Sequence, residues 1–170
     1  YRDRYSKAFT IFVGNLKGGV SKTVSTVSLA HALRAHPHLL FEDLRILVID
    51  LDPQSSATMF LNHTQAVGLV ETTSAQAMLQ NVSRDELMSE FIVPSVIPGV
   101  DLMPASIDDA FIASRWDELC TEHLPHQNVH AILRENIIDK LENDYDFIFV
   151  DSGPHLDAFL KNAIAAADLL

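Results

Sequence analysis

The stretch Lys17-Gly18-Gly19-Val20-Ser21-Lys22-Thr23 decides the fold of this chain. An apolar run at 9–13 precedes it and predicts a strand, and residues 22–34 follow it with apolar positions at helical spacing. Glycines in such a loop let backbone N–H groups turn toward phosphate oxygens, and the helix N-terminus adds a partial positive charge. The order of strand, glycine-rich loop and helix therefore predicts a phosphate-binding loop in an α/β fold.

Two side chains of the loop have chemistry that suits a nucleotide bound with magnesium. We expect the Lys22 ammonium to reach the β- and γ-phosphates and the Thr23 hydroxyl to ligate Mg²⁺. The spacing departs from the G-x-x-x-x-G-K-[ST] pattern, because Val20 and Ser21 separate Gly19 from Lys22, and it matches K-G-G-x-x-K-[ST] instead. The alternative is a loop with two glycines and two surface lysines. The predicted nucleotide-binding residues are Lys17, Gly18, Gly19, Val20, Ser21, Lys22, Thr23 and Val24.

Three short apolar runs, at 9–13, 45–49 and 147–150, predict strands of a single sheet. Helical segments alternate with them, which predicts a mostly parallel sheet with helices on both faces. In open α/β sheets, ligands bind beyond the carboxyl ends of the strands. Because polar sequence follows all three runs, these strand ends and the loop predict one common site.

The weaker signals along the chain are helical periodicity and turn residues. They predict two short helices within 54–80 around a loop at Gly68, a strand pair or edge strand within 96–103 interrupted at Pro98-Gly99, helices over 106–122 and 127–143, and a final helix that Asp157 caps and that ends at Ala167. Residues 1–8 are interpreted as a linker from a missing N-terminal region. Residues 9–170 are interpreted as one domain, incomplete at its C-terminal side.

Composition excludes several classes of protein. The formal net charge of −11 means that the chain as a whole is not a basic nucleic-acid binder, so any DNA contact needs a local patch, an oligomer or further sequence. The single cysteine, Cys120, excludes an internal disulfide framework and a four-cysteine iron–sulfur site. No apolar run reaches the ~18 residues of a membrane span. A reducing cytosol is the natural interpretation.

Two acidic motifs follow the second and third predicted strands. Asp50-Leu51-Asp52-Pro53-Gln54 follows one, and Asp151-Ser152-Gly153-Pro154 follows the other. A lone D-x-D is a weak signal, because aspartates are common at strand ends. With a phosphate-binding loop upstream the D-x-D motif becomes specific, and Asp151 suits Mg²⁺, which keeps several waters and takes few protein carboxylates. The alternative for Asp151 is a strand-terminal cap.

Together, the loop and the two acidic motifs identify a family resemblance that extends from Phe9 to the C-terminus. The sequence resembles the deviant-Walker P-loop ATPases, and within them ParA, the DNA-partition ATPases of plasmids and plasmid prophages. The family's usual glycine before the second lysine is Ser21 here, which leaves the backbone donors in place.

The resemblance implies a role for each candidate catalytic or metal-binding residue. It implies that Asp52 positions the attacking water, and that Lys17 reaches across a dimer to the partner's phosphates. It implies that Thr23 binds Mg²⁺, with support from Asp50 and Asp151, partly through water.

The same resemblance implies ATP and Mg²⁺ as ligands and an ATP-dependent homodimer that binds DNA nonspecifically. It also implies a centromere-binding ParB-type partner that stimulates hydrolysis, repression of the protein's own operon, no membrane partner, and a cytoplasmic, nucleoid-associated location. A MinD-like positioning ATPase and a nucleotide-gated DNA-binding repressor stay open as alternatives. The nitrogenase iron protein shares the loop but needs paired cysteines, which this sequence lacks.

Other residues that could suggest chemistry are interpreted as structural. His123, His126 and His130 lie on both sides of Pro125, so one helical face cannot present all three to a metal. Cys120 is expected to be a small core residue rather than a nucleophile. Three further apolar residues are also expected to pack in the core: Phe111, Trp116 and Leu119.

Overall fold

The computed structural model describes residues 7–14, 21–36, 43–62, 72–154 and 157–170. Its strands are β1 (Phe9–Val13), β2 (Ile46–Asp50), β3 (Val93–Pro94), β4 (Val100–Met103) and β5 (Phe147–Asp151). They form one sheet in the order β1-β5-β2-β4-β3, in which only β3 is antiparallel to its neighbour. The predicted mostly parallel sheet is confirmed, and the strands that end at the loop and at the two acidic motifs lie side by side.

The helices come from the segments between the strands. They are α1 (Lys22–Ala35), α2 (Ser56–Leu61), α3 (Ser74–Gln80), α4 (Arg84–Glu86), α5 (Asp109–Ser114), α6 (Trp116–His123), α7 (Asp139–Leu141) and α8 (Ala158–Ala166). A π-helical turn, Leu87–Phe91, continues α4, and a second, Arg134–Ile138, precedes α7. Among these segments, no helix is both long and apolar enough to cross a membrane.

Both faces of the sheet are packed against helices. All five residues of β2 are buried, and their side chains alternate between the faces. Ile46 and Val48 pack in a core with residues of α1 and α2, whereas Leu47 and Ile49 pack in a larger core with residues of α3, α6 and α8. A strand buried on both faces needs a continuous apolar sequence, which is why these runs predicted strands correctly.

The lone tryptophan, Trp116, anchors the larger core between α6 and α8. Its side chain is 2% exposed, and its Nε1–H donates to the Val129 carbonyl over 2.9 Å. Its ring meets Phe159 edge to face, with 5.4 Å between the ring centroids. The core assignment of Trp116 is therefore confirmed.

The segment predicted as one helix over 106–122 forms two helices instead. Arg115 adopts φ −114° and ψ 20°, which breaks the segment into α5 and α6. Phe111 was expected in the core but is 60% exposed, and the Arg115 guanidinium lies over its ring, 5.2 Å from the ring centroid. Leu119 is only partly buried. The break turns the Phe111 face away from the core while Trp116 enters it.

Two further segments differ from their predictions. The strand pair begins at Val93, before the predicted range, and its turn places Gly99 at φ +79° against the Arg34 side chain. The predicted helix over 127–143 starts with turns and becomes π-helical at Arg134. The final helix is confirmed, since the Asp157 carboxylate accepts the Leu160 N–H at its start. The loop predicted at Gly68 lies outside the described residues.

The last residues of the chain return to the sheet at β1. Leu169 forms a parallel bridge with Ile11, and its carbonyl accepts the Phe12 N–H over 2.9 Å. The Asp168 carboxylate accepts the Thr10 N–H over 2.8 Å. The outer edge of β1 is therefore hydrogen-bonded in part. The domain limits at 1–8 and 9–170 stay predictions.

Strand β5 lies inside the sheet between β1 and β2, so its buried side chains are costly to truncate. Ile148 is 0% exposed, so Ile148→Ala should lower the free energy of unfolding by about 2–5 kcal/mol, through lost burial and the cavity left behind. Ile164 on α8 is 43% exposed, and Ile164→Ala should cost less than about 1 kcal/mol. Urea unfolding of both variants tests this. Equal losses would contradict the fully buried position of Ile148 in β5.

Candidate functional site

The carboxyl ends of β1, β5 and β2 meet at one edge of the sheet. Val13 is paired with Asp151, and Asp151 is paired with Asp50 on its other side. Two aspartates 101 positions apart in the sequence are thus neighbours in the sheet. The convergence of strand ends that the sequence predicted is confirmed.

Helix α1 begins directly against this edge. The Thr23 hydroxyl donates to Asp151 Oδ2 over 2.6 Å. One turn later, the Thr26 hydroxyl lies 3.4 Å from Asp151 Oδ1 and 3.1 Å from the Lys22 carbonyl. The threonines of α1 therefore hold both oxygens of the Asp151 carboxylate.

The N-terminus of α1 has the features of an anion-binding helix end. Its N-cap, Ser21, makes no side-chain capping hydrogen bond, and the first turn contains no acidic residue. Lys22 and Val24 also belong to this first turn, and α1 extends over 14 residues. Uncapped N–H groups and the helix dipole favour a negatively charged ligand here. The other predicted loop residues, Lys17, Gly18, Gly19 and Val20, lie outside the described residues.

Ser21, the N-cap of α1, stands where the family resemblance predicts a glycine. Its backbone is left-handed, with φ 58° and ψ 28°, a region that glycine enters without penalty. Serine occupies the same conformation here. The exchange of glycine for serine therefore leaves the turn into α1 in a glycine-like conformation.

Asp50 is completely buried, and every hydrogen bond described for its carboxylate comes from within the chain. Oδ1 accepts the Asp52 N–H over 3.0 Å. Oδ2 accepts both the N–H and the hydroxyl of Thr58, each over 2.8 Å. The Asp50 carbonyl accepts the Ser74 hydroxyl in a short hydrogen bond. Asp50 therefore joins β2 to α2 and to the turn that carries Asp52.

Asp52 stands in a tight turn beside the second acidic motif. Its carboxylate accepts the Gln54 N–H over 2.9 Å, and its carbonyl accepts the Ser55 N–H over 2.7 Å. A Cβ at Gly153 would lie 3.3 Å from Asp52 Oδ1, which is a tight contact, so a glycine at this position avoids crowding the carboxylate. The two acidic motifs therefore meet at Asp52 and Gly153.

An open cleft of about 520 Å³ lies in front of this turn. The residues that line it are Asp52, Pro53, Gln54, Ala110, Ala113, Ser114, Gly153, Pro154 and Asp157. Asp52 is only partly buried, so its carboxylate is accessible from the cleft, unlike that of Asp50. A water molecule or a polar ligand can approach Asp52 from this side.

Burial and the charge of a neighbouring carboxylate raise the pKa of both strand-end aspartates. The pKa of Asp50 is raised to about 7, mainly by burial and then by the charge of Asp151, against hydrogen bonds from Thr58 and the Asp52 N–H. The pKa of Asp151 is raised to about 6, first by burial and also by Asp52, against Thr23, Thr26 and Lys22. The edge therefore has an excess of negative charge that a cation would offset.

The donor set fits magnesium. Mg²⁺ prefers hard oxygen ligands, binds few protein carboxylates and keeps several waters. The Thr23 hydroxyl and the Asp151 carboxylate are a contacting pair of such oxygens, at the helix end that favours phosphate. This pairing of a hydroxyl and a carboxylate with an anion-binding helix end suits a magnesium nucleotide.

Three residues of the site were missed by the sequence analysis. Thr26, Thr58 and Ser74 are fully buried and bind the strand-end aspartates. Thr26 could have been found, because it is one helical turn after Thr23. Thr58 and Ser74 carry no local signal, since their partners are fixed only by the tertiary fold.

The three histidines and the cysteine that the sequence analysis set aside differ in burial. His123, His126 and His130 are exposed, and within the described segments no cluster of three or more His, Cys, Asp or Glu could hold a metal ion. Cys120 is buried, and burial raises the pKa of its thiol to about 11. A thiol of that acidity is a poor nucleophile.

Comparison with known proteins gives matches over nearly the whole chain. A family model described as "AAA domain" matches residues 8–170. Plasmid partition protein A of Escherichia coli is 79% identical over 170 residues, which are 100% of this chain and 43% of that protein.

Solved structures match as well. One named "Partition Protein" is 57% identical with a TM-score of 0.86, over 99% of this chain and 46% of that one. Cobyrinic acid a,c-diamide synthase from Mycobacterium smegmatis, solved with an ATP analog and magnesium, is 27% identical with a TM-score of 0.74. The match covers 94% of this chain and 57% of that one. The chain spans about half the length of these relatives.

The raised pKa values of Asp50 and Asp151 predict how stability depends on pH. Folding lifts the pKa of Asp151 to about 6 and that of Asp50 to about 7 from 3.8, so between these limits the native state binds more protons than the unfolded state. The free energy of unfolding should therefore fall as pH rises from 5 to 8, by at least about 1 kcal/mol in the absence of Mg²⁺.

Urea unfolding of wild type and Asp151→Asn across this pH range isolates the effect. The asparagine cannot ionise, so the decline should be shallower in the variant. Asp85→Asn is the matched control, because Asp85 is an exposed acid whose replacement should leave the slope unchanged. A wild-type stability that rises with pH relative to Asp151→Asn would contradict the raised pKa described for Asp151.

Proposed function

Because the chain belongs to the AAA domain family, and within it to the ParA/MinD proteins, we propose that it is the ATPase domain of a DNA-partition protein. The observation that carries the proposal is the Thr23–Asp151 hydrogen bond, which joins the first turn of α1 to the end of β5. That contact gathers a hydroxyl, a carboxylate and an anion-binding helix end at one edge of the sheet. The reaction would be hydrolysis of ATP to ADP and phosphate.

Binding of the substrate is assigned to the loop and the start of α1. Lys22 would bind the β- and γ-phosphates, with backbone N–H groups from Lys17 to Val24 around the phosphate oxygens. Thr23 and Asp151 would hold Mg²⁺, and Asp50 would support them from the neighbouring strand through water. When bound, Mg²⁺ neutralises charge that develops on the phosphate oxygens.

Hydrolysis is assigned to Asp52. Its carboxylate is partly exposed to the cleft, and the Asp52–Ser55 turn and the Asp50 carboxylate fix its backbone. In this position it would orient the attacking water. Positioning and electrostatic stabilisation are most of what phosphoryl transfer requires of a protein.

The further steps of partition are proposed from the relatives that are named partition proteins. ATP would drive formation of a homodimer in which Lys17 reaches the partner's phosphates. The dimer would bind DNA nonspecifically, and a centromere-binding ParB-type protein would stimulate hydrolysis. Repression of the protein's own operon and a nucleoid-associated location in the cytoplasm belong to the same proposal.

The two lysines of the loop provide a test that separates binding from dimerisation. Lys22→Ala should weaken ATP binding by at least about 30-fold, because it removes a charged hydrogen bond to the phosphates. Lys17→Ala should leave binding within about threefold of wild type and lose ATP-dependent dimerisation, because Lys17 acts across the interface. Equilibrium titration with a fluorescent nucleotide and sedimentation measure the two properties. Equal loss of binding in both variants would contradict the cross-dimer role.

Replacement of Asp52 tests the assignment of hydrolysis. Asp52→Ala should lower kcat by about 10²-fold or more while ATP affinity holds or rises, because repulsion between a carboxylate and the phosphates is relieved. Asp52→Asn keeps an acceptor for the Gln54 N–H and should be equally slow, since the charge is lost. The control is Gln54→Ala, which changes an exposed side chain two residues after Asp52 in the same cleft. Its kcat should match that of wild type. Normal turnover in Asp52→Asn would assign the water elsewhere, with Asp151 the next candidate.

A further inference from the structure

We propose that Thr58 is a positioning residue for hydrolysis: through the buried Asp50 carboxylate it fixes the backbone of Asp52. The inference rests on the proposed ATPase function. Thr58 lies in α2, outside the phosphate-binding loop and outside both acidic motifs. It does not line the cleft in front of Asp52, so it would act only through its neighbours.

The first observation is the arrangement of donors around Asp50. The backbone N–H and the hydroxyl of Thr58 both donate to Oδ2, each over 2.8 Å. The other oxygen, Oδ1, accepts the Asp52 N–H over 3.0 Å. The carboxylate therefore bridges α2 and the residue proposed to orient the water. The position of Asp52 depends on how firmly Asp50 is held.

The second observation is that the Thr58 hydroxyl is used twice. While it donates to Asp50, it also accepts the N–H of Ala105 over 3.0 Å, at the segment that follows β4. Thr58, Asp50 and Ala105 are each at most 1% exposed, so water cannot readily replace a lost partner. The hydroxyl thus connects the end of β4 to the end of β2 at the site.

The contacts of Ser74 brace the same junction from α3. Its hydroxyl donates to the Asp50 carbonyl, and its N–H donates to the Pro104 carbonyl over 2.8 Å. Ser74 holds the main chain of Asp50, whereas Thr58 holds the carboxylate. Because the Asp52 N–H is bound to the carboxylate, Thr58 is the residue whose loss should reach Asp52.

The physical consequence of deleting the hydroxyl follows from these contacts. Asp50 Oδ2 would keep one donor of two, and the Ala105 N–H would be buried without an acceptor. A carboxylate held by fewer donors is free to rotate, which would release the Asp52 N–H and loosen the turn. Misplacement of a catalytic group by about 1 Å is enough to slow a reaction by about 10²-fold.

The test uses the protein at its natural length, with steady-state ATPase kinetics and hydrogen exchange without nucleotide. Thr58→Val keeps the shape of threonine and removes the hydroxyl, Thr58→Ala removes it with less steric demand, and Thr58→Ser restores it. Thr10→Val is the matched control, because Thr10 is equally buried and its hydroxyl has no hydrogen-bond partner among the described residues.

Thr58→Val and Thr58→Ala should lower kcat by about 10–100-fold with the KM for ATP within about threefold of wild type. The Asp52 amide should exchange at least about tenfold faster in both, because it loses its fixed acceptor. Thr58→Ser and Thr10→Val should match wild type in kcat and in exchange.

Each other outcome bears on the inference. The inference is overturned if Thr58→Val and Thr58→Ala both match Thr10→Val in kcat and in the rate of hydrogen exchange at the Asp52 amide. It is also overturned if Thr58→Ser is as slow as Thr58→Val, since the hydroxyl would then not be the cause. If the wild type hydrolyses no ATP but the exchange pattern is as expected, the proposed function fails and the positioning of Asp52 by Thr58 stands. If Thr58→Val does not fold, Thr58→Ala decides by the same two measurements.

Discussion

The parallel pairing of β5 with β1 on one side and β2 on the other is the constraint on which the site depends. Parallel strands end at the same edge of a sheet, so the register that pairs Val13 and Asp50 with Asp151 brings three distant segments together. Helix α1 must then begin at that edge, because the chain returns across the sheet from the end of β1. The Thr23–Asp151 contact is a consequence of this geometry.

The same geometry creates an electrostatic problem that the surrounding side chains reduce. Two buried carboxylates in adjacent strands repel each other and lose hydration. Threonines supply the hydrogen bonds that keep them in place: Thr23 and Thr26 for Asp151, and Thr58 for Asp50. A β-branched residue with a hydroxyl suits these positions, because it packs as an apolar residue and donates in one direction. Burial of these carboxylates still costs stability at the edge of the sheet where the Mg²⁺ site is proposed.

Much of this arrangement could be predicted from the sequence because its strongest signals are local. β1, β2 and β5 were predicted within one residue at each end, because each is a short run of mostly apolar residues. The convergence of Asp50 and Asp151 followed from the rule that parallel strands end together. The site roles of Lys17, Asp52 and the metal-binding residues stay predictions.

The features that sequence could not supply depend on contacts between distant segments. The two-residue strand β3 is too short to show a period, and the break at Arg115 separates two helices that are continuous in apolar pattern. The role of Thr58 requires Ala105, 47 positions away, which no periodicity connects to it. Such residues become visible only when the fold brings their partners within hydrogen-bonding distance.

Trp116 gives the molecule an optical probe of its own. It is the one tryptophan in the sequence, and its indole lies in the larger core against Phe159. Indole fluorescence shifts to longer wavelength on contact with water, so the native chain should emit at short wavelength. Trp116 also begins α6 directly after α5, whose Ala110 and Ala113 line the cleft in front of Asp52. Its emission can therefore report on the cleft and on the core without any attached dye.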